Sequence, residues 1–159
     1  MDEQSVTTTE VQIRKSLSYL PHLHRIVSCI ASRLSMSRKD VEETKKAVSE
    51  VCANSINAAS DGQDGRLSIK LSTQGEYMMV EITDPCMDLD AVRDGGQSSG
   101  GNGHSGVLER ITHLMDSVEL IAGDIGATIR ITKCARKPAR TPAKPAPYLG
   151  VLGTTTLQS

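Results

Sequence analysis

The chain has no phenylalanine, no tryptophan and only three tyrosines. A core without large rings has to be assembled from Leu, Ile, Val, Met and Ala, and modes of nucleic-acid binding that stack bases on aromatic side chains lose their usual tools. The four cysteines (Cys29, Cys52, Cys86 and Cys134) form no C-x-x-C pair and no zinc-like spacing with the four histidines. No apolar run approaches the ~20 residues of a membrane span, and the start, Met1-Asp2-Glu3-Gln4-Ser5, does not look like a signal peptide. These absences lead to the expectation of a reduced, cytoplasmic protein with no membrane association. Acidic residues are also missing from one end, since none follows Asp124. Through Lys133 there are 14 basic and 19 acidic residues, a net of −5, and the four basic residues beyond give the tail +4. An acidic body argues against direct nucleic-acid binding by the fold itself.

What is present is an ordered alternation of hydrophobic periods. Val11, Ile13 and Leu17 suggest a first strand over residues 11–17, with Lys15 out of phase. Leu20, Leu23, Ile26, Val27, Ile30 and Leu34 recur at helical spacing, and Pro21 suits a first helical turn. Ser37, three residues before Asp40, marks the start of a second helix over Arg38–Ala58. Ser60 to Gly65 is turn chemistry, followed by strands over Arg66–Ser72 and Tyr77–Thr83. The polar, glycine-bearing stretch from Asp84 to Gly106 is long for a connection inside a domain and is expected to be a lid or a disordered segment. Val107–Leu114 then suggests a helix, and Ser117–Ala122 and Ala127–Thr132 a closing hairpin around Gly123-Asp124-Ile125-Gly126. The expected architecture is a two-layer α/β sandwich, with helices on one face of a mixed, mainly antiparallel sheet. A flexible N-terminus (1–9) precedes the domain (10–133), and a basic, proline-rich flexible tail (134–159) follows it.

Within the second helix, Glu50 and Asn54 are four residues apart and therefore on one face, while Val48, Val51, Cys52 and Ile56 offer an apolar face to a core. A carboxylate beside an amide oxygen suits a Mg²⁺ held with few protein ligands and a nucleophile placed next to it. A solvated helix face is the ordinary use of such a pair.

The order of elements, with Ala47-Val48-Ser49-Glu50-Val51-Cys52-Ala53-Asn54, Leu114-Met115-Asp116-Ser117-Val118 and Gly126-Ala127-Thr128-Ile129-Arg130, resembles the GHKL (Bergerat-type) ATP-binding fold of histidine kinases and gyrase. It resembles more closely the anti-sigma-factor serine-protein kinases. That resemblance implies ATP and Mg²⁺ as cofactors, a sigma factor and an anti-anti-sigma (STAS-domain) protein as partners, and a homodimer. Glu50 would then be the catalytic base for a partner's serine, and Asn54 the Mg²⁺ ligand. Asp84 would accept the adenine amine with Thr128 in support, Gly103, Ser105 and Gly106 would approach the phosphates, and Arg25 would face the partner. A GHKL-fold binding module that has lost catalysis is the alternative. Where the family has D-x-G-x-G, this chain has Asp84-Pro85-Cys86-Met87-Asp88, so side chains replace both glycines and the adenine pocket is expected to be reshaped.

Overall fold

The computed structural model describes residues 5–58, 65–93 and 106–135. Five strands, β1 (Thr7–Arg14), β2 (Arg66–Gln74), β3 (Tyr77–Asp84), β4 (Ser117–Ala122) and β5 (Ala127–Cys134), form one sheet in the order β1-β2-β3-β5-β4. Four helices join them: α1 (Leu20–Arg33), α2 (Arg38–Ala58), α3 (Leu89–Arg93) and α4 (Val107–Leu114).

Every pairing is antiparallel, and the connections explain why. Two helices between β1 and β2 carry the chain out and back, so β2 starts at the end where β1 stopped. A net return through α4 sets β4 parallel to β3, and the hairpin partner β5 then fits between them with opposite direction.

Burial alternates strictly along β3 and β5, with Met78, Val80, Ile82, Ile129 and Ile131 on the inner face. Leu67, Ile69 and Leu71 continue that face on β2, and Leu23, Val27, Ala47, Val48, Val51, Cys52 and Ile111 cover it from the helices. Aliphatic side chains with Met78, Met115 and Cys52 fill this core, and Tyr19 is an aromatic ring packed at its margin. The outer face is polar, with Arg130 bridging Glu81 (2.9 Å) and Glu119 (3.5 Å).

The start of α2 follows its local chemistry: the amide of Asp40 donates to Ser37 Oγ at 3.1 Å, and that of Val41 to Ser37 O at 3.0 Å. Pro21 lies in the first turn of α1. The first strand differs from expectation. It begins at Thr7, because the β-branched run Thr7-Thr8-Thr9 pairs with Leu71-Ser72-Thr73. It ends at Arg14, because Ser16 caps a 3₁₀ turn over Leu17–Tyr19 through its hydroxyl and Ser18 N. Leu17 is therefore in that turn and half exposed, not in the strand. The short helix α3 lies inside the stretch expected to form a lid. No helix among the described residues is long and apolar enough to cross a membrane.

Candidate functional site

Helix α2 crosses the inner face of the sheet and packs on α1, α4, β3 and β5. Its Glu50–Asn54 pair is not a solvated decoration. Asn54 is buried, only 6% exposed, and Glu50 one turn earlier is partly buried. A buried carboxamide has to be satisfied, so its position is a commitment of the fold. Glu50 Oε2 accepts from Arg110 Nε of α4 at 2.8 Å. Gly106 precedes α4 with φ +84°, and a Cβ there would meet the Arg110 guanidinium at 3.1 Å. Gly106 thus combines a left-handed backbone with close approach of the arginine.

At the far end of β3 lies Asp84, 2% exposed and on the inner face. Its Oδ1 accepts from the amide of Cys86 at 2.9 Å, and its carbonyl from that of Met87 at 3.2 Å. Asp84-Pro85-Cys86-Met87 is therefore a β-turn with Pro85 at its second position and an Asx bond at its start, the arrangement that replaces the missing glycines. Cys86 points to solvent, and Met87 packs against the core. Asp84 Oδ1 also receives Lys15 Nζ at 2.9 Å, in a pair whose side chains are 4% and 3% exposed.

Gly126, at φ +71°, closes the site from below. A Cβ on it would sit 2.1 Å from Asp84 O and 2.5 Å from Pro85 C, so only glycine lets the β4–β5 turn lie against the Asp84 turn.

Thr128 is placed elsewhere. It pairs with Thr83 and shares a 2.8 Å hydroxyl contact with it, on the outer face, whereas the residue paired with Asp84 is Ala127. The two-residue alternation of β5 puts Ala127 beneath Asp84 and Thr128 behind it, so the structure does not bring the Thr128 hydroxyl to Asp84. Arg25 is exposed on α1. On the same helix His24 bonds Ser49 of α2, and with Glu42, Lys45 and Lys46 they line a groove of about 430 Å³. Burial and the nearby Lys45 charge lower the pKa of His24. Gly103 and Ser105 lie outside the described residues.

Two charged partners of the site carboxylates, Lys15 and Arg110, escape a reading of the sequence. Lys15 was expected out of phase, but it stands two residues after the inward-facing Ile13 and shares its side of the sheet, where a lysine has to find a buried anion. Arg110 gave no signal, since a helix arginine is ordinarily solvated.

A helix carrying Glu50 and a buried Asn54 thus lies over an antiparallel sheet whose central strand ends at a buried Asp84, a two-layer α/β sandwich with these polar groups gathered on the inner face. The chain belongs to the histidine kinase-like ATPase domain family, which matches residues 13–133. Within it, the chain is similar to curated proteins called serine-protein kinase RsbW. One, from Halalkalibacterium halodurans, is 30% identical over 139 residues, spanning 79% of this chain and 82% of the relative. Another, from Bacillus pumilus, is 27% identical over 146 residues, spanning 82% and 87%. In fold, the chain resembles the crystal structure of the RsbU and RsbW domains of a Mycobacterium tuberculosis protein, with a TM-score of 0.61 at 15% identity. That match covers 84% of this chain and 33% of the longer one.

Proposed function

We propose that this chain is an ATP-dependent serine-protein kinase that binds a sigma factor and phosphorylates an anti-anti-sigma protein on serine. The observation that carries the reading is the buried Asn54 with Glu50 one turn before it, set in a fold whose relatives are named serine-protein kinases.

The residues fit Mg-ATP. Mg²⁺ bound through phosphates needs only one or two protein oxygens, and the side chain of Asn54 is a neutral oxygen donor of that kind. No group of three or more His, Cys, Asp or Glu suited to a metal occurs among the described residues, so the site offers no dedicated cage. The buried Asp84 carboxylate is an acceptor suited to an adenine amine, and the Gly126 contact leaves room for nothing larger beneath it. Bound Mg-ATP supplies the γ-phosphoryl group and a metal that neutralises its charge.

Glu50 is the group that takes the proton of the partner's serine hydroxyl. Its ion pair with Arg110 is part exposed, the side chains being 28% and 50% accessible. Pairs of that kind are worth about 1 kcal/mol or less, so exchange of Arg110 from the carboxylate to an incoming phosphate is inexpensive. Arg25 on the exposed side of α1 is the partner contact, and partner binding and phosphorylation thereby share the α1–α2 layer.

The test is Mg-ATP titration joined to phosphotransfer onto the partner. Saturable ATP binding is expected, and Glu50→Gln should lower phosphotransfer by about 100-fold or more, the range of lost general-base catalysis, while nucleotide binding stays within about threefold. A variant that still phosphorylates at the wild-type rate would remove Glu50 from the role of base. Absence of any phosphotransfer by the wild-type chain, with partner binding intact, would leave a binding module.

A further inference from the structure

The buried pair between Lys15 and Asp84 belongs to no part of the mechanism above. Lys15 lies just past the end of β1, two residues after the inward-facing Ile13, and its amide bonds Gly65 O at 3.1 Å, one rung beyond the strand. From there its stem runs across Gly65, in front of β2, toward the end of β3. A Cβ on Gly65 would lie 2.8 Å from Lys15 Cδ and 3.0 Å from Cε, so a side chain at that position would obstruct the path. The ammonium ends 2.9 Å from Asp84 Oδ1, the oxygen that the Cys86 amide already uses. Both side chains are almost fully removed from solvent, at 4% and 3% accessible. A surface pair is readily exchanged, but separating a buried one leaves an uncompensated charge on each side.

We propose that Lys15 sets the affinity and the base choice of the nucleotide site. The inference rests on Asp84 being the base-reading carboxylate of the proposed function. With Lys15 in place, that carboxylate is a partly neutralised acceptor, and the exocyclic amine of adenine competes with an ammonium for it. The same ammonium is a donor that a purine with a carbonyl at that position, such as guanine or hypoxanthine, accepts. The site therefore binds ATP weakly and discriminates poorly between an amino and an oxo purine. Without Lys15, the Asp84 carboxylate keeps the Cys86 amide as its donor and, held ionised by it, favours the amine and repels the carbonyl.

Fluorescent ATP and GTP analogues titrated with Mg²⁺ into the full chain and into Lys15→Ala test this. The variant should bind the ATP analogue about tenfold more tightly, the size of one hydrogen bond to a charged group, and the GTP analogue more weakly. Opposite signs for the two bases are a signature that a purely structural lysine does not produce. Lys15→Met keeps the side-chain volume without the charge, and should show the same inversion if the alanine variant folds poorly. An unchanged ATP-to-GTP ratio, or weaker ATP binding by the variants while the wild type still binds ATP, overturns the role of Lys15 and leaves the kinase reading standing. Failure of wild type and variants alike to bind either analogue at millimolar concentration overturns both.

Discussion

At the scale of single residues, burial decides what a side chain can do. Cys52 is completely buried in α2, and burial pushes its thiol up to about 12, so at neutral pH it carries almost no thiolate. Cys29 and Cys86 are exposed, and Cys134 is intermediate. A thiol reagent at pH 8 should label Cys29 and Cys86 rapidly, and Cys52 only after denaturant is added. Fast labelling of Cys52 in the native protein, located by peptide mapping, would show that the α2–sheet interface opens. Asn54 and Asp84 illustrate the same rule for polar groups. Each is held in a place where water cannot serve it, which is a cost that a purely structural helix or turn would avoid by carrying an apolar residue. Their burial, more than their identity, separates them from the many Asn and Asp residues on surfaces.

At the scale of elements, the site is made by three junctions. The cap at Ser37 starts α2 in the register that turns Asn54 inward, and the Asx turn at Asp84 ends β3 with its carboxylate on the inner face. The turn before β5 is pressed against it at Gly126. Gly126→Ala meets both a backbone conformation that L-residues resist and a backbone atom at 2.1 Å. A loss of about 2 kcal/mol or more is expected, because neither the strained φ nor the backbone clash is relieved by a rotamer change. Urea unfolding checks it, and an unchanged midpoint would mean that the β4–β5 turn moves away freely. This junction was partly legible: Gly126-Ala127-Thr128 pointed to the last strand, but the threonine given the adenine role was the one on the outer face. A motif gives residue types in order, and only the register of β5 against β3 says which face each one takes.

At the scale of the whole molecule, one lysine ties the layers together. Lys133, on the inward phase of β5, is 6% exposed and donates to Glu43 of α2 at 3.1 Å and to Leu114 O at the end of α4 at 2.6 Å. Asp116 fastens the same region, accepting from Cys134 N at 2.7 Å and donating its amide to Thr132 O at 3.0 Å. Lys133→Ala removes a charged donor from two acceptors, one of which is partly solvated, and should cost about 2 kcal/mol, measured as a lower denaturant midpoint with unchanged cooperativity. A shift below about 0.5 kcal/mol would mean that water replaces the ammonium at no loss, and that the helices are held by the aliphatic core alone.

The sequence by itself determined the aliphatic core, the period of each main element, the cap at Ser37 and the Glu50–Asn54 spacing. All of these are local properties, set by side chains within a few residues of one another in the chain. The order of the strands, the face taken by Thr128 and Ala127, the burial of Asn54 and the partners of the two site carboxylates were decided only in three dimensions. Lys15 meets Asp84 because β2 sets β1 and β3 two strands apart in one sheet, and Glu50 meets Arg110 because α2 packs on α4 within the helix layer. A buried ion pair depends on which strands the sheet sets side by side and on the desolvation at that place, and neither is written in the order of residues along one strand.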